Sequence, residues 1–289
     1  GGGGGGGDDD FPSEPGVPNA LGPWVKRKAA RLEQRMRELG EEGVEREMQG
    51  AQQARRPDPH GLLVTMEACA QMLRPAVVAE VHRGLLDDPG PEAMGRLAQE
   101  LVRAGADAVA VYVDGDEYDA DPEDLPAVCK AVGRDVPVLV RDLVLHPLQL
   151  VDAARAGAAG VSLVNCVSGA GLPIMVQFGA ALGLDTPVEV VNLEELRAAE
   201  RTGAPLFALN LNVGIQLPIA GFQEQTTQAM LDEMPQGSGC MCGVRSVAEA
   251  RAMHAAGARA ILVKRDAYIL AESPAAVVSE VAYAVSGDD

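Results

Sequence analysis

The feature that most constrains this chain is a recurring junction, in which a helical run ends in Ala-Gly or a close variant and a β-branched run begins. Arg103-Ala104-Gly105-Ala106-Asp107-Ala108-Val109 is echoed by Arg155-Ala156-Gly157-Ala158-Ala159-Gly160-Val161. It is echoed again by Arg201-Thr202-Gly203-Ala204 and by Ala255-Ala256-Gly257-Ala258-Arg259-Ala260-Ile261, with Val132-Gly133 and Leu182-Gly183 as weaker variants. Glycine just past a helix takes the left-handed cap conformation without a Cβ clash. The pattern predicts short apolar strands near 77–82, 107–113, 136–141, 160–165, 187–191, 206–210, 238–242 and 260–264. Strands alternating with helices argue for an α/β fold with a parallel sheet. Eight such units favour a closed (β/α)₈ barrel over an open doubly wound sheet, whose glycine-rich fingerprint is missing after the first strand.

Length agrees: such a barrel takes about 250 residues, and the chain has 289. We expect a Gly/Asp/Pro-rich disordered tail over 1–20, an N-terminal helical extension and linker over 21–74, and the barrel over 75–289. The extension should hold one helix from about Leu21 to Gln49, which Gly40 and Gly43 could split, and a second around Leu62–Leu73. Lys26, Arg27, Lys28 and Arg31 stand early in the first helix and glutamates late, against the helix dipole, so packing must hold it. Only 3% of residues are aromatic against 47% hydrophobic, so the core must be mostly Ala, Val and Leu. A net charge of −18 disfavours nucleic acid and anionic membrane surfaces and would suit a basic partner. No apolar run approaches the roughly 18 residues of a transmembrane helix. The five scattered cysteines read as reduced, mostly buried thiols, with Cys240 and Cys242 on one face of a strand. The first residue is not Met, which is compatible with a processed or incomplete start.

In a barrel of this kind the C-terminal strand ends carry the chemistry. Here they offer Glu80 and His82, then Asp114, Arg141 with Asp142, Asn165, Glu189, Asn210 with Asn212, Met241 with Cys242, and Lys264 with Arg265. Glu80 and Glu189 lie inside otherwise apolar strands, where a carboxylate is costly unless paired. Arg141 and His82 are the natural partners. His60, His146 and His254 read as surface or capping residues.

Several blocks in order resemble indole-3-glycerol phosphate synthase. They are Val78-Ala79-Glu80-Val81-His82-Arg83, Ala104-Gly105-Ala106-Asp107-Ala108-Val109, Pro137-Val138-Leu139-Val140-Arg141-Asp142-Leu143 with Pro147-Leu148-Gln149, and Val188-Glu189-Val190 with Glu194-Glu195-Leu196. The resemblance implies closure of a pyrrole ring on 1-(2-carboxyphenylamino)-1-deoxyribulose 5-phosphate, with loss of CO₂ and water and no metal or organic cofactor. It implies Glu80, His82, Arg141, Glu189 and Asn210 at the catalytic positions. Cys242, Gly243, Lys264 and Arg265 stand at the phosphate-binding positions. The departures matter. The family's first-strand lysine is His82, and its third-strand lysine, the general acid, is Arg141. The seventh-strand Ser-Glu-Ser-Gly-Ile is Cys240-Met241-Cys242-Gly243-Val244. The eighth-strand small pair is Lys264-Arg265. A guanidinium is a poor proton donor, and losing a general acid commonly costs about 10²–10⁴-fold. These replacements favour a barrel that has lost the parent reaction, as a pseudoenzyme binding an anionic sugar phosphate or as a structural subunit among protein partners. The alternative is a divergent active synthase or related sugar-phosphate lyase. Members of the family in plants and algae sit in the plastid, so a chloroplast address is the expectation, with the cytoplasm as the other.

Overall fold

The computed structural model describes residues 21–51, 59–115, 119–209, 222–269 and 271–287. The proposed tail, most of the linker and the sixth-strand pair Asn210 and Asn212 lie outside the described residues.

The strands are β1 (Ala76–Val81), β2 (Ala108–Tyr112), β3 (Val138–Arg141), β4 (Gly160–Val161), β5 (Leu163–Val164), β6 (Val188–Val190), β7 (Leu206–Leu209), β8 (Gly239–Val244) and β9 (Ala260–Val263). All pair in parallel in the order β4-β3-β2-β1-β9-β8-β7-β6-β5. The fourth predicted strand is thus two segments, β4 and β5. They part at Ser162, whose N–H reaches back to the Val140 carbonyl at 2.9 Å. The ends of the sheet meet where Val161 N–H donates to Asp185 and Leu163 N–H to Pro187, each at 2.9 Å, which closes the sheet into a TIM-type barrel. Closure needs close backbone approach at Gly160. A Cβ there would lie 2.6 Å from the Asp185 carbonyl oxygen. The glycines of the recurring junction behave as predicted, with positive φ at Gly105, Gly133, Gly157, Gly183, Gly203 and Gly257.

Strand periodicity sorts the core into two layers. Val77, Ala79, Val81, Val109, Val111, Val138, Val140, Ile261 and Val263 face the surrounding helices. Ala76, Val78, Ala108, Ala110, Leu139, Leu206, Ala208, Met241, Ala260 and Leu262 fill the interior. The interior is built of aliphatic side chains and a methionine, with no aromatic among these residues. Its N-terminal end is closed by helix α2 (Gly61–Gln71), which inserts Leu62, Met66 and Cys69. Fully burying a side chain such as Leu62 or Met66 contributes about 1.5–3 kcal/mol. The α2 start is fixed by Asp185, which accepts the Leu62 and Leu63 N–H groups at 2.8 and 3.2 Å and lies 3.2 Å from His60 Nδ1.

Helix α1 (Gly22–Gln49) breaks at Gly40 (φ 65°), where the sequence allowed a split. It lies along the helix Pro147–Ala156. Its basic first half is held by ion pairs as well as by packing: Lys28 and Arg31 reach strand-end carboxylates, and Arg35 pairs with Asp152. A cavity of about 400 Å³ lies beneath it, walled by Leu32, Val113, Leu125, Val140 and Val161, with Lys28 and Asp142 on its rim already paired to each other. Among the described residues no helix is long and apolar enough to cross a membrane.

Gly160→Ala forces a methyl group onto the Asp185 carbonyl at the point of closure. It should destabilise the fold by about 1–3 kcal/mol, the usual cost of overpacking, read as a lower urea midpoint with an unchanged m-value.

Candidate active site

Inward alternation on β1 carries Ala76 and Val78 into the interior and ends with Glu80, which is 0% exposed. β2 ends inward with Tyr112, β3 with Arg141 and β6 with Glu189. Register places Tyr112 beside Arg141 on adjacent strands. The four side chains form one network. Glu80 Oε1 accepts from Arg141 Nη1 at 3.1 Å and from the Tyr112 hydroxyl at 3.0 Å, and Glu80 Oε2 accepts the Arg265 backbone N–H at 2.8 Å. The other arm of Arg141 approaches both oxygens of Glu189, at 3.2 and 3.4 Å. Its guanidinium lies 5.4 Å from the centre of the Tyr112 ring, within cation–π range. Arg141 is therefore the bridge between the two buried carboxylates, as their burial demanded.

His82 is placed differently from the expectation that it would neutralise a carboxylate. Its Nδ1 accepts the Gly84 N–H at 2.8 Å, its Nε2 lies 3.5 Å from Arg265 Nη1, and its ring meets Tyr112 edge-on at 5.8 Å. Burial, together with the Arg265 guanidinium, pushes its pKa below the ordinary value despite an opposing pull from Glu80. The imidazole is neutral at pH 7. The cause is local: the turn Arg83–Leu85 uses the ring as its cap. Arg83 is drawn away from the mouth altogether, by a two-point contact with the buried Asp124 at 2.7 and 2.9 Å.

Lys264 follows β9. Register sets its neighbour Val263 against Ala79, so Lys264 stands beside Glu80. Its stem runs over Gly243, where a Cβ would come within 3.1 Å of Lys264 Cδ. Burial lowers its pKa, Glu80 and Glu189 raise it, and Arg141 adds to the lowering. Arg265 is exposed and makes a long contact of 3.6 Å with Asp266.

Strand β8 runs two residues beyond its predicted end, because Gly243 and Val244 still pair with Leu262 and Val263. Gly243, rather than Met241 or Cys242, is consequently the inward residue at the rim. Met241 sits deeper, in the inner cluster. The Cys242 side chain is turned outward into the layer under the helices, 3.9 Å from Cys240 Sγ, so its thiol does not face the mouth. The alternation of the pleat decides this, with Cys240, Cys242 and Val244 on the outer face.

Asp114 and Asp142 turn towards α1. Lys28 Nζ lies 3.0 Å from Asp114 and 2.6 Å from Asp142, Arg31 holds Asp114 at 2.7 Å, and Gln149 Nε2 donates to Asp142 at 3.1 Å. Burial pushes the Asp142 carboxyl above its usual range, against the pull of Lys28. Asn165 bonds to Glu195. His146 caps its helix through its side chain, whereas His60 stands at the α2 N-cap position with no side-chain cap and its ring against Asp185. Sequence reasoning missed Tyr112 and the hold of Lys28 and Arg31 of α1 on Asp114 and Asp142. Inward parity along Ala108, Ala110 and Tyr112 was the available signal for the first. The i, i+3 spacing of Lys28 and Arg31 was the signal for the second. It also missed Ser162, a buried inward position between the outward Val161 and Leu163, whose hydroxyl has no hydrogen-bond partner among the described residues.

A parallel barrel with charged groups gathered at the C-terminal strand ends defines the TIM-barrel class, with its candidate site at the mouth. Solved structures share that fold. A 3-hexulose-6-phosphate synthase aligns with a TM-score of 0.56 over 73% of this chain and 99% of its own, at 18% identity. A structure described as native KDPGal aligns with a TM-score of 0.56 over 72% and 93%, at 17% identity. The sequence is more particular. The family model for indole-3-glycerol phosphate synthase matches residues 25–277, and the chain belongs to that family. Relatives carrying that name include one from Carboxydothermus hydrogenoformans, 28% identical over 65% of this chain and 72% of its own length. Another, from Exiguobacterium sibiricum, is 32% identical over 64% and 70%.

Arg141→Met leaves two buried carboxylates without their cation and should cost about 3–5 kcal/mol in urea unfolding. Adding Glu80→Gln and Glu189→Gln should recover most of that loss. Lys28→Met should destabilise at neutral pH and less so in acid. The sign follows from Asp142. A folded pKa raised above the unfolded one means the folded state holds the proton more tightly. Stability from that group is present below the unfolded pKa and lost as pH rises through the folded one. Removing Lys28 takes away the cation that opposes the upward shift, so the deficit should shrink as pH falls, measured by urea titrations across pH 4–7.

Proposed function

We propose that the barrel mouth binds a small anionic metabolite, a sugar phosphate or carboxylate, and that it has lost the ring closure of its family. The observation that carries this reading is the Arg141 bridge between Glu80 and Glu189. Arg141 stands where the resemblance puts the family's proton-donating lysine. A guanidinium stays protonated at any working pH, so it holds charge in place and does not deliver a proton. Glu189, at the position of the family's base, is engaged by the same guanidinium. His82, at the other lysine position, is neutral and caps a turn. Among the described residues at the mouth, the half-buried Lys264 and the exposed Arg265 are the cations that remain to suit a carboxylate or phosphate.

A second reading, an active synthase, is favoured by the two retained carboxylates, Glu80 and Glu189, and by the relatives of that name. Turnover of 1-(2-carboxyphenylamino)-1-deoxyribulose 5-phosphate, followed by indole fluorescence, separates the two. The expected result is no turnover by the natural chain and measurable turnover by the His82→Lys, Arg141→Lys variant. Turnover by the natural chain overturns the proposal. Stabilisation by inorganic phosphate in a thermal melt, lost with Lys264→Met plus Arg265→Met, supports the anion site. No stabilisation, with stable co-purification of other chains, would favour a structural subunit instead.

A further inference from the structure

The mouth contains one amine that the network does not use. Lys264 lies on the inner side of the barrel wall: Leu262, two residues earlier, is in the interior cluster, and Val263 is in the outer one. Its stem is packed over Gly243, a position where any larger side chain would have to displace it. The carboxylates within reach are engaged elsewhere, Glu80 by Arg141, Tyr112 and the Arg265 N–H, and Glu189 by Arg141. Among the described residues the Lys264 amine has neither a hydrogen bond nor an ion pair. Burial outweighs the attraction of Glu80 and Glu189 and lowers the pKa of the amine below the ordinary lysine value. A second polar group in the same interior is unmatched. The Ser162 hydroxyl is 1% exposed and has no partner among the described residues. The register that pairs Val140 with Val161 places Ser162 beside Arg141. The orphaned hydroxyl next to the bridge and the unpaired amine on the eighth strand are two inward polar groups that an oxygen-bearing ligand would satisfy.

We propose that Lys264 is a nucleophile that forms an imine with a small anionic aldehyde or ketone bound at the mouth. The proposal rests on the anion-binding reading and adds a covalent step to it. The nitrogen lone pair attacks the carbonyl carbon, a C–N bond forms, and the carbonyl oxygen becomes the hydroxyl of a carbinolamine. That hydroxyl leaves as water, taking both amine protons, and the C=N bond closes with no net redox change. The exposed Arg265, next in the chain to Lys264, holds the ligand's carboxylate or phosphate. Lysines held on a flexible stem in a partly buried site, where desolvation favours the free amine, are those that form Schiff bases.

The chain makes the test clean because it has four lysines: Lys26, Lys28, Lys130 and Lys264. Lys26 and Lys130 are exposed, and Lys28 is tied to Asp114 and Asp142. The full chain would be incubated with glyoxylate, and separately with glyceraldehyde 3-phosphate, in the presence of cyanoborohydride. Reduced adducts would be mapped by peptide mass spectrometry. The expected result is trapping at Lys264 at least about tenfold above Lys26 and Lys130, because the bound anion holds the carbonyl against the amine. Inorganic phosphate should compete, and a Lys264→Met variant that melts normally should lose the adduct. Adducts spread evenly over Lys26, Lys130 and Lys264 would overturn the nucleophile. If phosphate still raises the melting temperature in that case, the anion site stands without it. If phosphate also has no effect, both readings fall.

Discussion

The mouth of this barrel is arranged around the cost of burying Glu80. Taking a carboxylate out of water costs several kcal/mol even after relaxation, and only close, well-aligned partners offset it. Glu80 has them on both oxygens: Arg141 and Tyr112 on one, the Arg265 backbone N–H on the other. The second arm of the same guanidinium reaches Glu189, so one cation serves two buried carboxylates. Tyr112 closes the arrangement from the neighbouring strand, as a hydrogen-bond donor to Glu80 and as an aromatic face beneath Arg141. Each group is thereby held by more than one constraint, which fixes the mouth far more rigidly than independent surface pairs would.

The ends of β2 and β3 answer to a different demand. Asp114 and Asp142 have the positions of site residues but serve the docking of α1, whose basic first half would otherwise oppose its own dipole. Two acidic strand ends in one place draw Lys28 and Arg31 towards them. That sets where α1 crosses the barrel. The long helix and the barrel are thus joined by buried charge as much as by apolar contact.

The fold was legible because it depends on local signals that repeat: a glycine that must be left-handed, a short β-branched run, an amphipathic helix. The place where the sheet closes was less so, since it depends on the backbone approach of Gly160 to Asp185, which neither segment reveals alone. At the site, the two carboxylates and Arg141 could be paired from burial cost. Tyr112, His82 and Cys242 could not be placed without the pleat. A shift of one residue turns a side chain from the mouth to the helix layer, and that is what separates Gly243 from Cys242. Lys28 and Arg31 escaped because their partners lie more than eighty residues away.

Exchanging lysine for arginine changes what such a site can do more than it changes its charge. An ammonium can give up its proton and become a base or nucleophile; a guanidinium is a permanent cation with fixed geometry. With Arg141 on the third strand and a neutral histidine on the first, the positions where the family resemblance puts lysines no longer supply a titrating amine. Lys264 supplies one on the eighth, beside Glu80 and over the space that Gly243 leaves. Arg141 meanwhile holds both carboxylates in place, so Lys264 faces groups whose positions are fixed. Amine chemistry at this mouth would therefore approach a ligand from the first-and-eighth-strand side, over an electrostatic frame retained from the family's carboxylates.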